Sequence, residues 1–262
     1  MGENWIAEGR IKVSVGRIAR LEINAPARSN AMSRAMWKGL IEACEQISRS
    51  SETRVVILSG VGKHFCAGAD IAEFAEVYAT PETAAAYNSV YREAEEKVRY
   101  LPQPVIAEIR GACVGGGCGL ALSADFRLAG TTARLAVTAS LLGLAYSPED
   151  TARLIAKVGP GRAKDMLFSG RFIEAPEALS WGLVDRVVPE NELAEKVAAY
   201  AAMLADRSRT SQMVAKKMID SLGEPPSELC DALRPLYEGA FQSADFVEGR
   251  AAFLEKRPPR FR

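Results

Sequence analysis

The chain has 262 residues, 48% of them hydrophobic and 25% charged. That is the composition of a soluble globular protein, long enough for one large α/β domain or two small ones. Its 33 basic and 33 acidic residues cancel, leaving no electrostatic footprint for nucleic acid, and no apolar run approaches the ~18 residues of a membrane span. The five cysteines (Cys44, Cys66, Cys113, Cys118, Cys230) are scattered and odd in number, as in a protein of reduced thiols. The N-terminus lacks the basic-then-apolar pattern of a secretion signal, so a cytoplasmic location is expected.

Two alternating runs, 11–15 and 18–23, flank Gly16-Arg17 and predict a β-hairpin. A loop from Asn24 to Asn30 follows. Met32, Met36, Leu40, Ala43 and Ile47 recur at helical spacing over 31–48. Val55 to Leu58 is a short buried strand, and the loop from Val61 to Asp70 leads into Ile71-Ala-Glu-Phe74. A helix is predicted over about 82–100, closed by Leu101-Pro-Gln-Pro104, with Glu93, Glu95 and Glu96 beside Arg92, Lys97 and Arg99 as a solvated face. An apolar strand at 105–109 comes next. Beyond a glycine turn and the helix-forming run 120–124, residues 125–129 and 133–136 are short strands. A helix over 149–157 is broken by Gly159-Pro160-Gly161; short helices at 163–168 and 175–181 and a strand at 183–188 follow. From Glu190 onwards the pattern is helical throughout.

The stretch Gly111-Ala-Cys-Val-Gly-Gly-Gly-Cys-Gly119 organises this arrangement. Three successive glycines let the backbone approach another group closely. They also leave free N–H groups at a helix start, where an anion, or an oxygen that becomes negative in a reaction, is stabilised. A plain strand-to-helix bend has the same local pattern, and the turn alone leaves both readings open. His64 is the only histidine and has no cysteine or carboxylate partner at ligand spacing, so no metal site is expected. Cys66 has no base beside it in the chain, which argues against a nucleophile.

Three stretches fit one family in order and spacing: His64-Phe-Cys-Ala-Gly-Ala-Asp-Ile71, Pro104-Val-Ile-Ala…Gly111…Gly115-Gly-Gly-Cys118, and Phe253-Leu-Glu-Lys-Arg-Pro258. Asn30-Ala-Met32, Asp125 with the Ala129-Gly130 turn, and Gly182-Leu-Val-Asp-Arg-Val187 add to them. Over nearly its whole length the chain resembles the crotonase (enoyl-CoA hydratase/isomerase) superfamily. The resemblance implies a spiral core of ββα units over 1–190 and a helical oligomerisation region over 191–262. It implies homotrimers or hexamers, an acyl-CoA thioester as substrate, no separate cofactor, and no nucleic-acid or membrane partner. The matching positions make the backbone N–H groups of Ala69 and Gly116 an oxyanion hole. Ala67, Asp70 and Ile71 lie where the family meets CoA; Arg28 and Lys256 (or Arg257) are placed to meet its phosphates. Tyr87 and Tyr91 fall on the helix that borders the acyl pocket.

The chain departs from the hydratases of that family at two places. Their first glutamate is replaced by Gly119 and their second by Ala139. Hydration needs one group to activate water and another to protonate carbon, so hydratase activity is doubtful. Tyr146 matches a tyrosine of decarboxylating relatives. Glu149 or Asp150 offers a displaced carboxylate for double-bond isomerisation. The same Ser147-Pro-Glu-Asp150 run also reads as an ordinary helix first turn, with a serine cap and acids favouring the dipole. A catalytically weak acyl-CoA binder and an atypical hydratase are the alternatives.

Overall fold

The computed structural model describes residues 3–142 and 145–222, and the isolated positions 244, 248, 252, 255, 257 and 260. The strands are β1 (Glu3–Ile6), β2 (Ile11–Ser14), β3 (Ile18–Ile23), β4 (Val55–Gly60), β5 (Val105–Ile109), β6 (Ala112–Val114), β7 (Phe126–Gly130), β8 (Arg134–Ala136), β9 (Ile173–Glu174) and β10 (Arg186–Val188). The helices are α1 (Arg34–Arg49), α2 (Phe74–Val77), α3 (Pro81–Arg99), α4 (Gly116–Leu122), α5 (Pro148–Ser169), α6 (Ala175–Trp181), α7 (Leu193–Ala205) and α8 (Arg209–Ser221).

Seven strands form one sheet in the order β1-β2-β3-β4-β5-β7-β10. The hairpin β2–β3 is antiparallel, and from β3 to β10 the neighbours are parallel. A second sheet, β6-β8-β9, stands apart from it. β4 shows how the main sheet is buried on both faces. Val56 and Leu58 enter the large core with Trp37, Leu40 and Ile47 of α1. Val55 and Ile57 point the other way, into a smaller cluster closed by Leu193, Val197 and Ala201 of α7. Successive side chains alternate faces, so an unbroken apolar run is what a strand covered on both sides requires.

The sequence reading did not contain the short strands β1, β6 and β9, and it departs from the structure at two further places. Residues 148–169 form one helical run kinked at Gly159, whose φ of 77° is outside the helical region. Pro160 removes an N–H, so the predicted break becomes a bend. The solvated face predicted for α3 holds for Glu93 and Glu96 but fails for Glu95, which is 1% exposed. Tyr87, Tyr91 and Glu95 are spaced by four, so they share one face of α3, and that face turns inward.

Candidate active site

The glycine turn sits where β6 passes into α4. Gly115 adopts φ 54°, a conformation that glycine takes without cost. The loop 66–70 runs beside it, held by Cys66 N–H to Ala112 O at 3.0 Å and Val114 N–H to Cys66 O at 2.9 Å. On its other side Met32 N–H donates to Gly68 O (2.7 Å) and Asp70 N–H to Met32 O (2.9 Å). These bonds turn the Ala69 N–H away from Met32. Gly116 opens α4, so its N–H has no intrahelical partner. The two loops touch: a methyl on Gly68 would lie 2.7 Å from Val114 O and 3.4 Å from Gly116 N. His64 anchors this arrangement, its Nδ1 accepting the Ala112 N–H at 3.0 Å.

A cavity of about 550 Å³ opens in front of both loops. Ala67, Ala69, Ile71, Gly116, Tyr146, Glu149 and Asp150 all line it, as does Ala139. Tyr87 and Tyr91 line it from α3. Arg28 and Asp70 border a separate hollow beside the Asn24–Ala31 loop, where they form an ion pair. Lys256 lies outside the described residues.

The chemistry at the inner end of the cavity centres on Asp150, which is fully buried. As expected of a first turn, Ser147 Oγ caps α5 by accepting the Asp150 N–H at 2.9 Å. The Asp150 side chain points inward as well. Its Oδ2 accepts from Tyr91 OH at 2.5 Å and Ser147 Oγ at 2.7 Å, and its Oδ1 from Arg153 at 2.7 Å. Arg153 also donates to Glu95 Oε2 at 2.5 Å. Glu95 Oε1 has no hydrogen-bond partner. One guanidinium thus serves two buried carboxyls. Burial, then the Asp150 charge, push the Glu95 carboxyl well above its usual value, against the pull of Arg153. Burial raises the Tyr91 and Tyr146 phenols in the same way, so both stay protonated. Tyr146 OH donates to Gly115 O at 3.3 Å, against the glycine turn. Glu149 lies at the rim, half-buried, 3.7 Å from Arg92. Cys66 is a thiol, its pKa pushed up to about 12 by burial.

Gly119 explains the crowding. A Cβ there would lie 2.3 Å from Glu95 Oε1, 2.6 Å from Asp150 Oδ1 and 2.8 Å from Tyr91 OH. The space that a side chain at 119 would need is filled by carboxylates from α3 and α5. Sequence reasoning reached Asp150 and missed Glu95 and Arg153. The available signal was the spacing of four from Tyr87 through Tyr91 to Glu95, and of three from Asp150 to Arg153.

The parallel-rich main sheet, the small second sheet, the paired loops and the cavity in front of them define a fold of the crotonase superfamily. Residues 14–262 match the family model described as enoyl-CoA hydratase/isomerase. An enoyl-CoA hydratase of Bacillus anthracis superposes with a TM-score of 0.90 at 36% identity, over 96% of this chain and 98% of that one. A Magnetospirillum magneticum structure described as an enoyl-CoA hydratase/carnithine racemase gives 0.89 at 38% identity, over 97% and 95%. A Mycobacterium leprae protein named as a probable enoyl-CoA hydratase is 32% identical over 248 residues, 94% of each chain. The chain belongs to the enoyl-CoA hydratase/isomerase family, whose members are enzymes acting on CoA thioesters.

Proposed function

We propose that the protein moves the double bond of an enoyl-CoA, taking a proton from one carbon of the acyl chain and returning it to another through Asp150. The thioester oxygen lies between the N–H groups of Ala69 and Gly116. Abstraction of an α-proton makes that oxygen an enolate, and two fixed donors stabilise the charge as it forms. Asp150 holds the abstracted proton and delivers it to the γ-carbon. One carboxylate suffices for both transfers, whereas hydration needs a second group acting on water.

The observation that carries this reading is the pairing of an open carboxylate-lined cavity with carboxylate-free positions 119 and 139. Asp150 is preferred to Glu149, because Glu149 is half-exposed and faces Arg92. Decarboxylation of a malonyl-type thioester is disfavoured by the same geometry. Its carboxylate would meet Asp150 while the nearby cation, Arg153, is already shared by two acids, and like charges repel strongly in a dry site. Atypical hydration is the second reading, favoured by the hydratase names of the relatives. The CoA phosphates would meet Arg28 and Lys256, Arg28 exchanging its bond to Asp70 for the ligand. The 191–262 region is proposed to join subunits into a trimer or hexamer, in keeping with exposed Met213 and Ile219 on α8.

The test is a panel of a 3-enoyl-CoA, crotonyl-CoA and methylmalonyl-CoA. The expected outcome is conversion of the 3-enoyl thioester to the 2-enoyl form, reduced by about 10²–10⁴ in Asp150→Asn. Faster formation of 3-hydroxyacyl-CoA from crotonyl-CoA overturns it in favour of hydration. Release of CO2 from methylmalonyl-CoA as the main reaction overturns it in favour of decarboxylation.

A further inference from the structure

We propose that Glu95 is a positioning residue held as the neutral acid, its Oε1 hydroxyl donating to Asp150 across the space that Gly119 leaves open. This rests on the reading of Asp150 as the proton carrier.

The donor count comes first. Asp150 is fully buried and takes hydrogen bonds from Tyr91, Ser147 and Arg153, an environment of donors that suits a carboxylate. Glu95 is buried as deeply, receives one bond from the same Arg153, and leaves Oε1 without a partner. A buried unpaired carboxylate oxygen is costly, while the same oxygen carrying a proton becomes a donor. An acceptor lies within reach, because Glu95 Oε1 and Asp150 Oδ1 both crowd the point a Cβ at residue 119 would occupy. Two ionised carboxylates meeting there with one guanidinium between them would leave an uncompensated buried charge, which proteins avoid by protonating one member.

The surroundings choose which member. The titratable groups about the pair are Tyr91 on α3, Arg153 on α5, Tyr146 before α5, and the thiols of Cys66 and Cys118. The hydroxyls of Tyr91 and Ser147 are aimed at Asp150 Oδ2. Asp150 lines the cavity and Glu95 stands behind it. The proton therefore belongs on Glu95. Its role is to hold Asp150 in place through Oδ1, so that Oδ2 takes up the substrate proton when the rotatable Ser147 hydroxyl gives up its bond there, and accepts that hydroxyl again when the proton leaves. The absence of a side chain at 119 is what makes the arrangement possible. A family member with glutamate there would have no room for this pair.

Glu95→Gln and Glu95→Ala test the proposal together. Glutamine keeps a neutral group with an N–H for Asp150 and a carbonyl for Arg153; alanine keeps neither. Glu95→Ala is expected to lose about tenfold in kcat with little change in KM, the worth of one hydrogen bond, and Glu95→Gln to restore most of it. Thermal unfolding from pH 4.5 to 8.5 provides a readout independent of activity. A carboxyl raised above the usual 4.5 contributes stability that is full at low pH. That contribution fades as pH rises towards the folded value, because only the unfolded chain ionises. Glutamine has no such dependence. The Tm of Glu95→Gln minus that of the natural protein should therefore grow as pH rises above about 4.5. A difference that stays flat over this range, or falls at its acid end, is the sign of an ionised Glu95 paired with Arg153, whose titration lies below about 4.5, and overturns the proposal. So does Glu95→Gln as inactive as Glu95→Ala. If Asp150→Asn is fully active while the Tm difference still grows, the proton on Glu95 stands and the assignment of Asp150 fails.

Discussion

At Gly116 a proline removes the N–H while its Cβ meets Tyr91 Cε2 at 3.2 Å and Trp37 Cζ2 at 3.4 Å. The residue stands at the first position of α4, where proline is tolerated because the N–H has no intrahelical partner. Gly116→Pro deletes one of the two proposed oxyanion donors. Loss of one such donor costs about 10²–10³ in kcat, and that is the expected effect on the 3-enoyl-CoA reaction, with the folded far-UV spectrum retained. A variant as active as the natural protein would remove Gly116 from the mechanism. The position of the glycine turn between a strand and a helix was legible in the sequence, while its choice as an oxyanion donor rather than a plain bend came from the family resemblance. Residues whose role comes from a fold-level meeting were less legible. Glu95 sits among Arg92, Glu93, Glu96 and Lys97, and charge alone cannot distinguish a solvated glutamate from one turned inward.

The two helices that meet at the site, α3 and α5, set its geometry. α3 is anchored at its start by a Thr80–Thr83 capping box, and α5 by Ser147. Ser147 serves twice: its oxygen accepts the Asp150 N–H and its hydroxyl donates to Asp150 Oδ2. Loss of a serine cap costs about 1 kcal/mol, which corresponds to a Tm fall of about 2–4 °C for a chain of this size. Ser147→Ala is expected to show that fall together with a drop in kcat, since one of the donors that orient Asp150 goes with it. A Tm fall with unchanged kcat would make the serine a cap only. The cap and Pro148 at the first position were readable from local preferences. The inward aim of Asp150 was not, since a first-turn acid satisfies the helix dipole equally well facing water. Short elements were lost for a similar reason. β6 and β9 have three and two residues, too few for a period-two pattern to emerge.

On the scale of the whole molecule, the order of strands follows from connections no local pattern contains, and only the expectation of a spiral of ββα units came from family resemblance. Bulk composition did carry one property that the core makes testable. Cys44, Cys66, Cys113 and Cys118 are each at most 1% exposed and belong to the large core. Burial pushes the Cys44 and Cys66 thiols up to about 12 and Cys113 well above its usual value. The thiolate is the nucleophile in alkylation, so at pH 8 Cys44, Cys66 and Cys113 are both unreachable and un-ionised, and Cys118 is unreachable. Iodoacetamide is expected to leave all four unmodified in the native protein, read by mass spectrometry of their peptides, and to leave catalysis intact. In denaturant they should become reactive together, because they share one core that opens as a unit. Native labelling of Cys66 with loss of activity would contradict both the closed packing behind the glycine turn and the assignment of the chemistry to backbone donors and Asp150.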